Sequence, residues 1–201
     1  MSTLVKLCGM FRDEDIAFAN EAKPDFIGFI INFPKSHRSI TPDRAAELKA
    51  QLDPRIKAVG VFVNSDIGTC AELAGCGIID MIQLHGSEDA EYIAKLRTLV
   101  TTPIIKAVKV TAAGDITAAR ALGADRLLLD NGTGSGKMFD HSLIDGDISD
   151  CFLAGGLTPE NVAEAIRSFH PYAVDMSSGI ETDKVKDKEK MLAAVRAVRS
   201  L

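Results

Sequence analysis

The chain has 201 residues, of which 46% are hydrophobic and 25% are charged, and its formal net charge is −5. This length suits one sizeable core, and the apolar content is typical of a globular α/β protein rather than of a disordered chain. The negative charge argues against nucleic acid as the main partner, and no apolar run approaches the ~20 residues that cross a bilayer.

Neither the N-terminal segment nor the spacing of cysteines and histidines indicates export or a metal site. The N-terminal segment lacks a basic stretch followed by an apolar signal-peptide core, so we expect the protein to stay in the cytoplasm, with its cysteines as thiols. Because the candidate ligands match no familiar metal-binding spacing, we expect no dedicated zinc site. These residues are Cys8, Cys70, Cys76, Cys151, His37, His85, His141 and His170.

Eight short apolar runs predict β-strands, and most of them are followed by a segment with helical signals. After the sixth run the sequence is loop-like, and residues 140–150 can hold at most a short helix. The predicted strands cover residues 4–8, 26–31, 56–63, 81–84, 104–108, 126–130, 151–154 and 173–176. The predicted helices cover residues 13–22, 65–74, 87–99, 113–122 and 187–200, with two more that begin at the Thr-Pro pairs 41–42 and 158–159.

This alternation predicts an α/β fold, namely a compact, single-domain (β/α)8 TIM barrel over residues 1–201. Such barrels typically have about 250 residues, so we expect short loops. The alternative is an open, doubly wound sheet that binds a dinucleotide. It is disfavoured because Gly9 stands alone after the first strand, without the G-x-G-x-x-G turn of that fold.

The seventh and eighth predicted strands each end in a turn of small residues. Gly155 and Gly156 follow the seventh strand, and Ser177, Ser178 and Gly179 follow the eighth. Such turns let backbone N–H groups approach a ligand closely, and converging N–H groups bind phosphate. The two turns therefore predict a phosphate site at the carboxyl ends of neighbouring parallel strands.

The first and sixth predicted strands end in a thiol and a carboxyl group. Reacting groups of a barrel lie at the carboxyl ends of its strands, so Cys8 and Asp130 are candidates for base and acid. Lys6 lies on the same strand face as Cys8, one layer deeper, where an ammonium group favours the thiolate. Alternatively, Cys8 is a small buried apolar residue, Lys6 a structural ion-pair member and Asp130 a cap or loop anchor.

Three more polar residues follow or end predicted strands. Arg38 lies in the loop after the second strand, where a guanidinium group can clamp a substrate carboxylate through two hydrogen bonds, or can simply be solvated. Gln83 and His85 share one strand face and can orient water or ligand, or have structural roles. The glycine-rich segment 131–137 lacks the Walker spacing, so it predicts a mobile lid rather than a nucleotide cradle.

Short motifs that combine strand ends with polar or small residues are distributed along essentially the whole chain. They are Val5-Lys6-Leu7-Cys8-Gly9, Gly28-Phe29-Ile30 with Ser36-His37-Arg38, Gly60-Val61-Phe62-Val63-Asn64, Gln83-Leu84-His85-Gly86, Leu129-Asp130 with Gly134-Ser135-Gly136-Lys137 and Phe139-Asp140, Leu153-Ala154-Gly155-Gly156-Leu157, and Asp175-Met176-Ser177-Ser178-Gly179-Ile180-Glu181. Taken in this order, they resemble the motifs of the phosphoribosylanthranilate isomerase family. Each motif alone is modest evidence, and the ordered set is strong. Two departures are His141, where the family often has tryptophan, and Met176, where valine is usual.

The resemblance implies an Amadori rearrangement of N-(5-phosphoribosyl)anthranilate in tryptophan biosynthesis, without a metal or other cofactor. By the family's pattern, Asp130 is the general acid and Cys8 the general base, and Arg38 binds the anthranilate carboxylate. Gln83, His85 and Asp175 are then further substrate-binding residues. The two small-residue turns bind the phosphate. The partner is this small-molecule substrate rather than nucleic acid or membrane, and the protein is a monomer or a homodimer.

Two alternatives remain at this stage. The first is another phosphosugar enzyme of barrel fold, either a metal-dependent epimerase or a histidine-pathway isomerase. It is disfavoured because only His85 fits a metal cluster and because Cys8 stands where those isomerases have aspartate. The second is a non-catalytic barrel that binds a phosphorylated metabolite, a role that needs neither Cys8 nor Asp130 nor Arg38.

Overall fold

The structure is a computed structural model that describes residues 2–130, 143–144 and 146–201. Within these ranges eleven strands and seven α-helices alternate through most of the chain. In chain order they are β1 (Leu4–Cys8), α1 (Asp13–Ala22), β2 (Phe26–Ile31), β3 (Ser39–Ile40), α2 (Pro42–Ala50), β4 (Lys57–Phe62), α3 (Ile67–Gly75), β5 (Met81–Leu84), α4 (Ala90–Arg97), β6 (Ile104–Lys109), α5 (Asp115–Arg120), β7 (Arg126–Asp130), β8 (Phe152–Leu153), α6 (Val162–Phe169), β9 (Ala173–Met176), β10 (Glu181–Thr182), β11 (Val185–Lys186) and α7 (Lys188–Arg199).

Eight of the strands form a closed, entirely parallel barrel. Their order around it is β1-β9-β8-β7-β6-β5-β4-β2, and β2 pairs again with β1. The short β3 adds to β2, and β10 and β11 form a separate antiparallel hairpin. The closure confirms the predicted (β/α)8 fold, and it places the carboxyl ends of all eight strands at one mouth.

The alternation of side chains along each strand divides the core into two parts. Residues that point out of the barrel pack against the helices in the larger cluster, as Leu7, Ile27 and Phe62 do. Residues that point inward fill the lower barrel with a smaller cluster centred on Phe26 and Phe152. Because this apolar filling occupies the lower layers, the polar inward residues near the carboxyl ends lie above a solid floor.

The local signals explain most of the element boundaries. The bounds of β1, α1, β2, β5, β7 and β9 are those predicted. At α2 the Thr41 hydroxyl accepts a hydrogen bond from the Arg44 N–H at 3.2 Å, as the Thr-Pro start predicts. The other Thr-Pro start is wrong in position, because residues 158–161 form a turn and α6 begins only at Val162.

The cause of this difference is visible in the hydrogen bonds of the turn. The Asn161 side-chain oxygen accepts from the Thr158 N–H at 2.8 Å, and the Asn161 amide donates to the Gly156 carbonyl at 3.0 Å. These bonds hold residues 158–161 in a turn against the glycine pair before the helix begins. The predicted lid at 131–137 and the departure at His141 lie outside the described residues.

Two further observations concern the described part of the chain. None of its helices is long and apolar enough to cross a membrane. In the same ranges no group of three or more histidine, cysteine, aspartate or glutamate side chains is arranged to hold a metal ion. Of residues 140–150, those that the structure describes include no α-helix.

Candidate active site

A cavity of about 350 Å³ opens at the carboxyl ends of the barrel strands. It is lined by ten of the eleven predicted site residues, and only Gly179 is not part of its wall. Residues from six different strand ends or following loops therefore converge on one volume. Those ten are Cys8, Arg38, Gln83, His85, Asp130, Gly155, Gly156, Asp175, Ser177 and Ser178.

Cys8 ends β1 and is 6% exposed. Its thiol lies over Gly28 on the adjacent β2, and a Cβ atom at Gly28 would stand 2.5 Å from the Cys8 Sγ and 3.2 Å from its Cα. The two residues are register partners in parallel strands, so this close approach is built into the barrel. Glycine at position 28 therefore provides the space that the thiol occupies.

An alanine at position 28 tests this packing. We expect Gly28→Ala to push the Cys8 sulfur out of its place and to lower kcat on the order of 100-fold, as misplacement of a reacting group by about 1 Å does. The methyl group also presses on the Cys8 Cα, so we expect a lower melting temperature in a variant that still folds. Steady-state rates together with a thermal unfolding curve check this; an unchanged kcat in a folded variant would contradict it.

Lys6 lies one layer below Cys8 and is completely buried. Its Nζ donates a hydrogen bond of 2.9 Å to Asp175 Oδ2 on the neighbouring β9. Burial lowers the pKa of Lys6, but the charges and hydrogen bonds of Asp175 and Cys8 act in the opposite direction, and the net pKa is raised. Lys6 thus remains an ammonium group inside the barrel, both an ion-pair member and a neighbour of the thiol.

Burial outweighs the effect of Lys6 on the pKa of Cys8. Burial raises the pKa of the Cys8 thiol, and although Lys6 lowers it, Asp175 raises it again, so that the net shift is upward. Lys6 therefore favours the thiolate, as predicted, but burial and Asp175 together outweigh it. The neighbouring cations Lys6 and Lys186 reduce a penalty that desolvation imposes.

A chain of polar side chains connects β5 with Asp130 at the end of β7. Gln83 Nε2 lies 2.9 Å from His85 Nδ1, and His85 Nε2 lies 3.6 Å from Asp130 Oδ2. With the amide N–H donating to Nδ1, a neutral imidazole carries its proton on Nε2, on the side of Asp130. The ring is thereby oriented toward the candidate acid.

A buried ion pair outside the barrel holds the turn that follows His85. Glu88 accepts hydrogen bonds from the N–H groups of Asn64 at 2.7 Å and Gly86 at 2.9 Å, and from Lys106 Nζ at 2.8 Å. Lys106 also donates to the Gly86 carbonyl at 2.6 Å. The turns after β4 and β5 are fixed together, which restricts the position of His85.

Arg38 lines the cavity, and part of its guanidinium group is already engaged. Its Nε and Nη2 atoms donate to the two carboxylate oxygens of Glu181 at 2.5 and 2.6 Å. A guanidinium group carries five N–H bonds, so three remain, and two of them, one on Nη1 and one on Nη2, form an edge that can bind a second carboxylate. The predicted clamp is compatible with this arrangement, but only through that edge.

The two small-residue turns differ in what their residues do. Gly155 and Gly156 have φ angles of 87° and 72°, a region that residues with a Cβ rarely adopt, and both line the cavity. Ser177 also lines it and donates its hydroxyl to the Cys8 carbonyl at 3.1 Å. Gly179 instead packs against the backbone carbonyl of Leu157, where a Cβ atom would collide. Its small size brings the two turns together.

Sequence reasoning missed two charged residues next to the site, Glu181 and Lys186. Both side chains are buried, at 6% and 0% exposure, and they lie 2.6 Å apart in the hairpin. Glu181 closes the last of the family-like motifs, which is the one signal that pointed to it. Lys186 stands in a run of alternating charges that reads as a solvated surface.

The strands form a closed parallel barrel, and their carboxyl ends surround one cavity with acid, thiol and guanidinium groups. This combination is that of a (β/α)8-barrel enzyme. A sequence model described as N-(5'-phosphoribosyl)anthranilate isomerase matches residues 5–197. The chain belongs to this family. It is accordingly an isomerase of the aldose–ketose class, acting in tryptophan biosynthesis.

Individual relatives agree over nearly the whole length. An N-(5'-phosphoribosyl)anthranilate isomerase from Endomicrobium trichonymphae is 42% identical, with 98% of each chain covered. The crystal structure of phosphoribosyl anthranilate isomerase from Thermotoga maritima is 36% identical with a TM-score of 0.88, and covers 99% of this chain and 100% of its own.

Two further structures bear on ligand and assembly in relatives. One is an isomerase in complex with reduced 1-(o-carboxyphenylamino)-1-deoxyribulose 5-phosphate, 34% identical with a TM-score of 0.84, covering 99% of this chain and all of its own. The other contains monomers generated from the dimeric Thermotoga maritima enzyme, also 34% identical, with a TM-score of 0.85 and the same coverage.

Proposed function

We propose that the isomerisation proceeds by general acid–base catalysis, with Asp130 as the acid and Cys8 as the base. Asp130 gives a proton to the furanose ring oxygen of N-(5-phosphoribosyl)anthranilate. The C1′–O bond breaks as the anilino nitrogen lone pair forms a Schiff base. Acid and base stand at the ends of β7 and β1, so they approach the sugar from different sides of the mouth.

Cys8 acts in the second half of the reaction. Its thiolate removes the proton from C2′, and the electron pair of that bond moves to the iminium nitrogen, which leaves an enolamine. Gain of a proton at C1′ and loss of the C2′ hydroxyl proton give the ketone, 1-(2-carboxyphenylamino)-1-deoxyribulose 5-phosphate. Because burial raises the pKa of the Cys8 thiol, Lys6 directly beneath it supports the base by reducing that penalty.

The remaining residues of the cavity bind the two ends and the middle of the substrate. The turns at 155–156 and 177–179 take the phosphate, and Arg38 takes the anthranilate carboxylate. Asp175 Oδ1 is buried at the cavity wall, and among the described residues nothing hydrogen-bonds to it, so it can accept from a sugar hydroxyl group. Gln83 and His85 orient the region around Asp130.

One observation carries this proposal: a single cavity joins a thiol, a carboxyl group, an arginine and two phosphate-type turns. A pure phosphate-binding protein needs only the turns. Binding the phosphate far from the reacting carbons lets remote binding energy orient the sugar for both proton transfers.

The direct test is an assay with freshly formed phosphoribosylanthranilate, whose anthranilate fluorescence falls as product forms. We expect the purified protein to accelerate this fall far beyond the rate without protein. No cofactor enters the proposed mechanism, so activity should persist in excess chelator. The proposal would be contradicted if the rate with the protein did not exceed the spontaneous rate. It would also be contradicted if chelator abolished activity and a divalent ion restored it.

Three broader predictions belong to the same proposal. Residues 1–201 form one catalytic domain, which works in the cytoplasm on a small-molecule substrate without nucleic acid or membrane partners. It does so as a monomer or a homodimer. The dimeric relative from Thermotoga maritima supports the second of these states.

A further inference from the structure

The β10–β11 hairpin places two buried charges directly behind Arg38. Glu181 and Lys186 are register partners in the antiparallel pair, so their side chains share one face, and Lys186 Nζ donates to Glu181 Oε1 at 2.6 Å. The two-residue turn between the strands has Asp183 and Lys184 at φ angles of 51° and 65°, typical of a type I′ turn. The hairpin is thus a defined element rather than a loose loop.

The backbone of the hairpin is attached to the barrel at several points. Arg12 Nη2 donates to the Lys186 carbonyl at 3.1 Å, and Lys190 Nζ donates to the Glu181 carbonyl at 2.6 Å. Lys186 Nζ also donates to the Ser177 carbonyl at 3.0 Å. The last of these bonds ties the hairpin to the turn proposed to bind phosphate.

Glu181 fixes the plane of the Arg38 guanidinium group. Two parallel hydrogen bonds to the Nε and Nη2 atoms determine both its position and its rotation. Glu181 itself is held by Lys186, and the Arg38 Cδ atom packs onto Gly9, where a Cβ atom would stand 2.5 Å from it. The free edge of the guanidinium group is thereby preorganised.

The charges of Arg38, Glu181 and Lys186 together leave Arg38 able to bind an anion. Glu181 has a pKa lowered to about 2: burial raises it, but Arg38 and Lys186 outweigh that effect, so Glu181 is charged at neutral pH. Two cations then face one carboxylate, and a substrate carboxylate completes the balance. Charge alone predicts that removing Glu181 strengthens anion binding, whereas loss of orientation predicts that it weakens it.

We propose that Glu181, held by Lys186, is a positioning residue that orients Arg38 and so determines how strongly the enzyme prefers a carboxylated substrate. This inference rests on the proposed carboxylate-binding role of Arg38. It adds that the hairpin, which contributes no residue to the cavity wall, controls specificity at one end of the substrate.

A comparison of two ligands measures this role. The first ligand is reduced 1-(o-carboxyphenylamino)-1-deoxyribulose 5-phosphate, called the reduced product below. The second ligand is the same compound without the carboxyl group. We expect the unaltered enzyme to bind the first more tightly by at least about tenfold, as a charge-assisted bidentate pair allows. Glu181→Gln should reduce this preference about tenfold, because an arginine side chain must then be immobilised on binding.

Matched variants separate orientation from charge and from folding. Glu181→Asp keeps the charge but shortens the side chain, so it should also reduce the preference for the carboxylated ligand. Lys186→Met should reduce that preference less, since Glu181 still bonds Arg38. Glu47→Gln removes another arginine-paired glutamate, on the surface of α2, and should leave the preference unchanged. Affinity for the ligand without the carboxyl group should change less than about twofold in the folded Glu181 and Glu47 variants, whereas Lys186→Met also removes the bond to the Ser177 carbonyl and is judged only by the ratio of the two affinities.

The outcomes distinguish this inference from the proposed function. An undiminished or larger preference in both Glu181 variants would overturn the positioning role while leaving Arg38 as the carboxylate site. Equal binding of both ligands by the unaltered enzyme would overturn the role of Arg38 and this inference together. If Glu181→Gln fails to fold, Glu181→Asp and Lys186→Met decide the question by the same ratio.

Discussion

Replacing Cys8 with alanine is expected to lower kcat by roughly 100-fold to 10,000-fold, the usual contribution of a positioned general base. The variant has no group at the end of β1 that can remove the C2′ proton. Its affinity for the reduced product should change little, because phosphate and carboxylate are bound elsewhere in the cavity. Initial rates from anthranilate fluorescence and ligand titration by calorimetry measure the two quantities separately.

Two controls make this result specific. Cys70 is also a buried thiol, and burial raises its pKa to about 11. It lies against Tyr92 outside the cavity, so Cys70→Ala should keep near-normal turnover.

The second control is the pH profile. Because burial raises the pKa of the Cys8 thiol, the thiolate fraction of the unaltered enzyme grows as pH rises toward that pKa. The corresponding rise of kcat/KM with pH should vanish in Cys8→Ala; near-normal rates in the variant would eliminate Cys8 as the base.

Asp130→Asn is expected to cause a loss of similar size, about 100-fold to 10,000-fold in kcat, for a different reason. An amide has nearly the shape of a carboxyl group but cannot give a proton to the ring oxygen. The sugar therefore stays closed, and Cys8 has no Schiff base on which to act. The reduced product, already open, should bind with nearly unchanged affinity, as calorimetric titration can show.

The control for this substitution is a carboxylate away from the mouth. Asp43 is exposed in the first turn of α2, and Asp43→Asn should leave kcat unchanged. If Asp130→Asn turns over normally, the ring-opening proton comes from another group, and His85, 3.6 Å from Asp130, becomes the first residue to replace.

Most of the fold was predictable because its strands are buried on both faces. The run at 26–31 is continuously apolar, and its predicted bounds are those of β2. Glycine, proline and capping residues punctuate the chain where helices begin or end. The start of α6 was misplaced because the Asn161 side chain bonds back to the Thr158 N–H and to the Gly156 carbonyl, and these bonds hold residues 158–161 in a turn although the Thr158 hydroxyl still accepts from the Glu160 N–H.

Much of the candidate site was also predictable, since strand parity decides which side chains enter the barrel. The rule that reacting groups follow barrel strands placed Cys8 and Asp130 on the cavity wall. It did not reveal Glu181 beside Arg38, because the two are 143 positions apart and meet only through the hairpin. Nor did it give the sign of the Cys8 pKa shift, which depends on the balance between burial and Lys6.

The pairing of β1 with β9 joins the first strand of the barrel to the last. Lys6 and Asp175, whose ion pair lies beneath the thiol, are 169 positions apart in the chain. During synthesis the base therefore lacks this ion pair and a closed wall until β9 has emerged from the ribosome. A shorter nascent chain cannot form this site, because catalysis requires a contact between strands that are far apart in sequence.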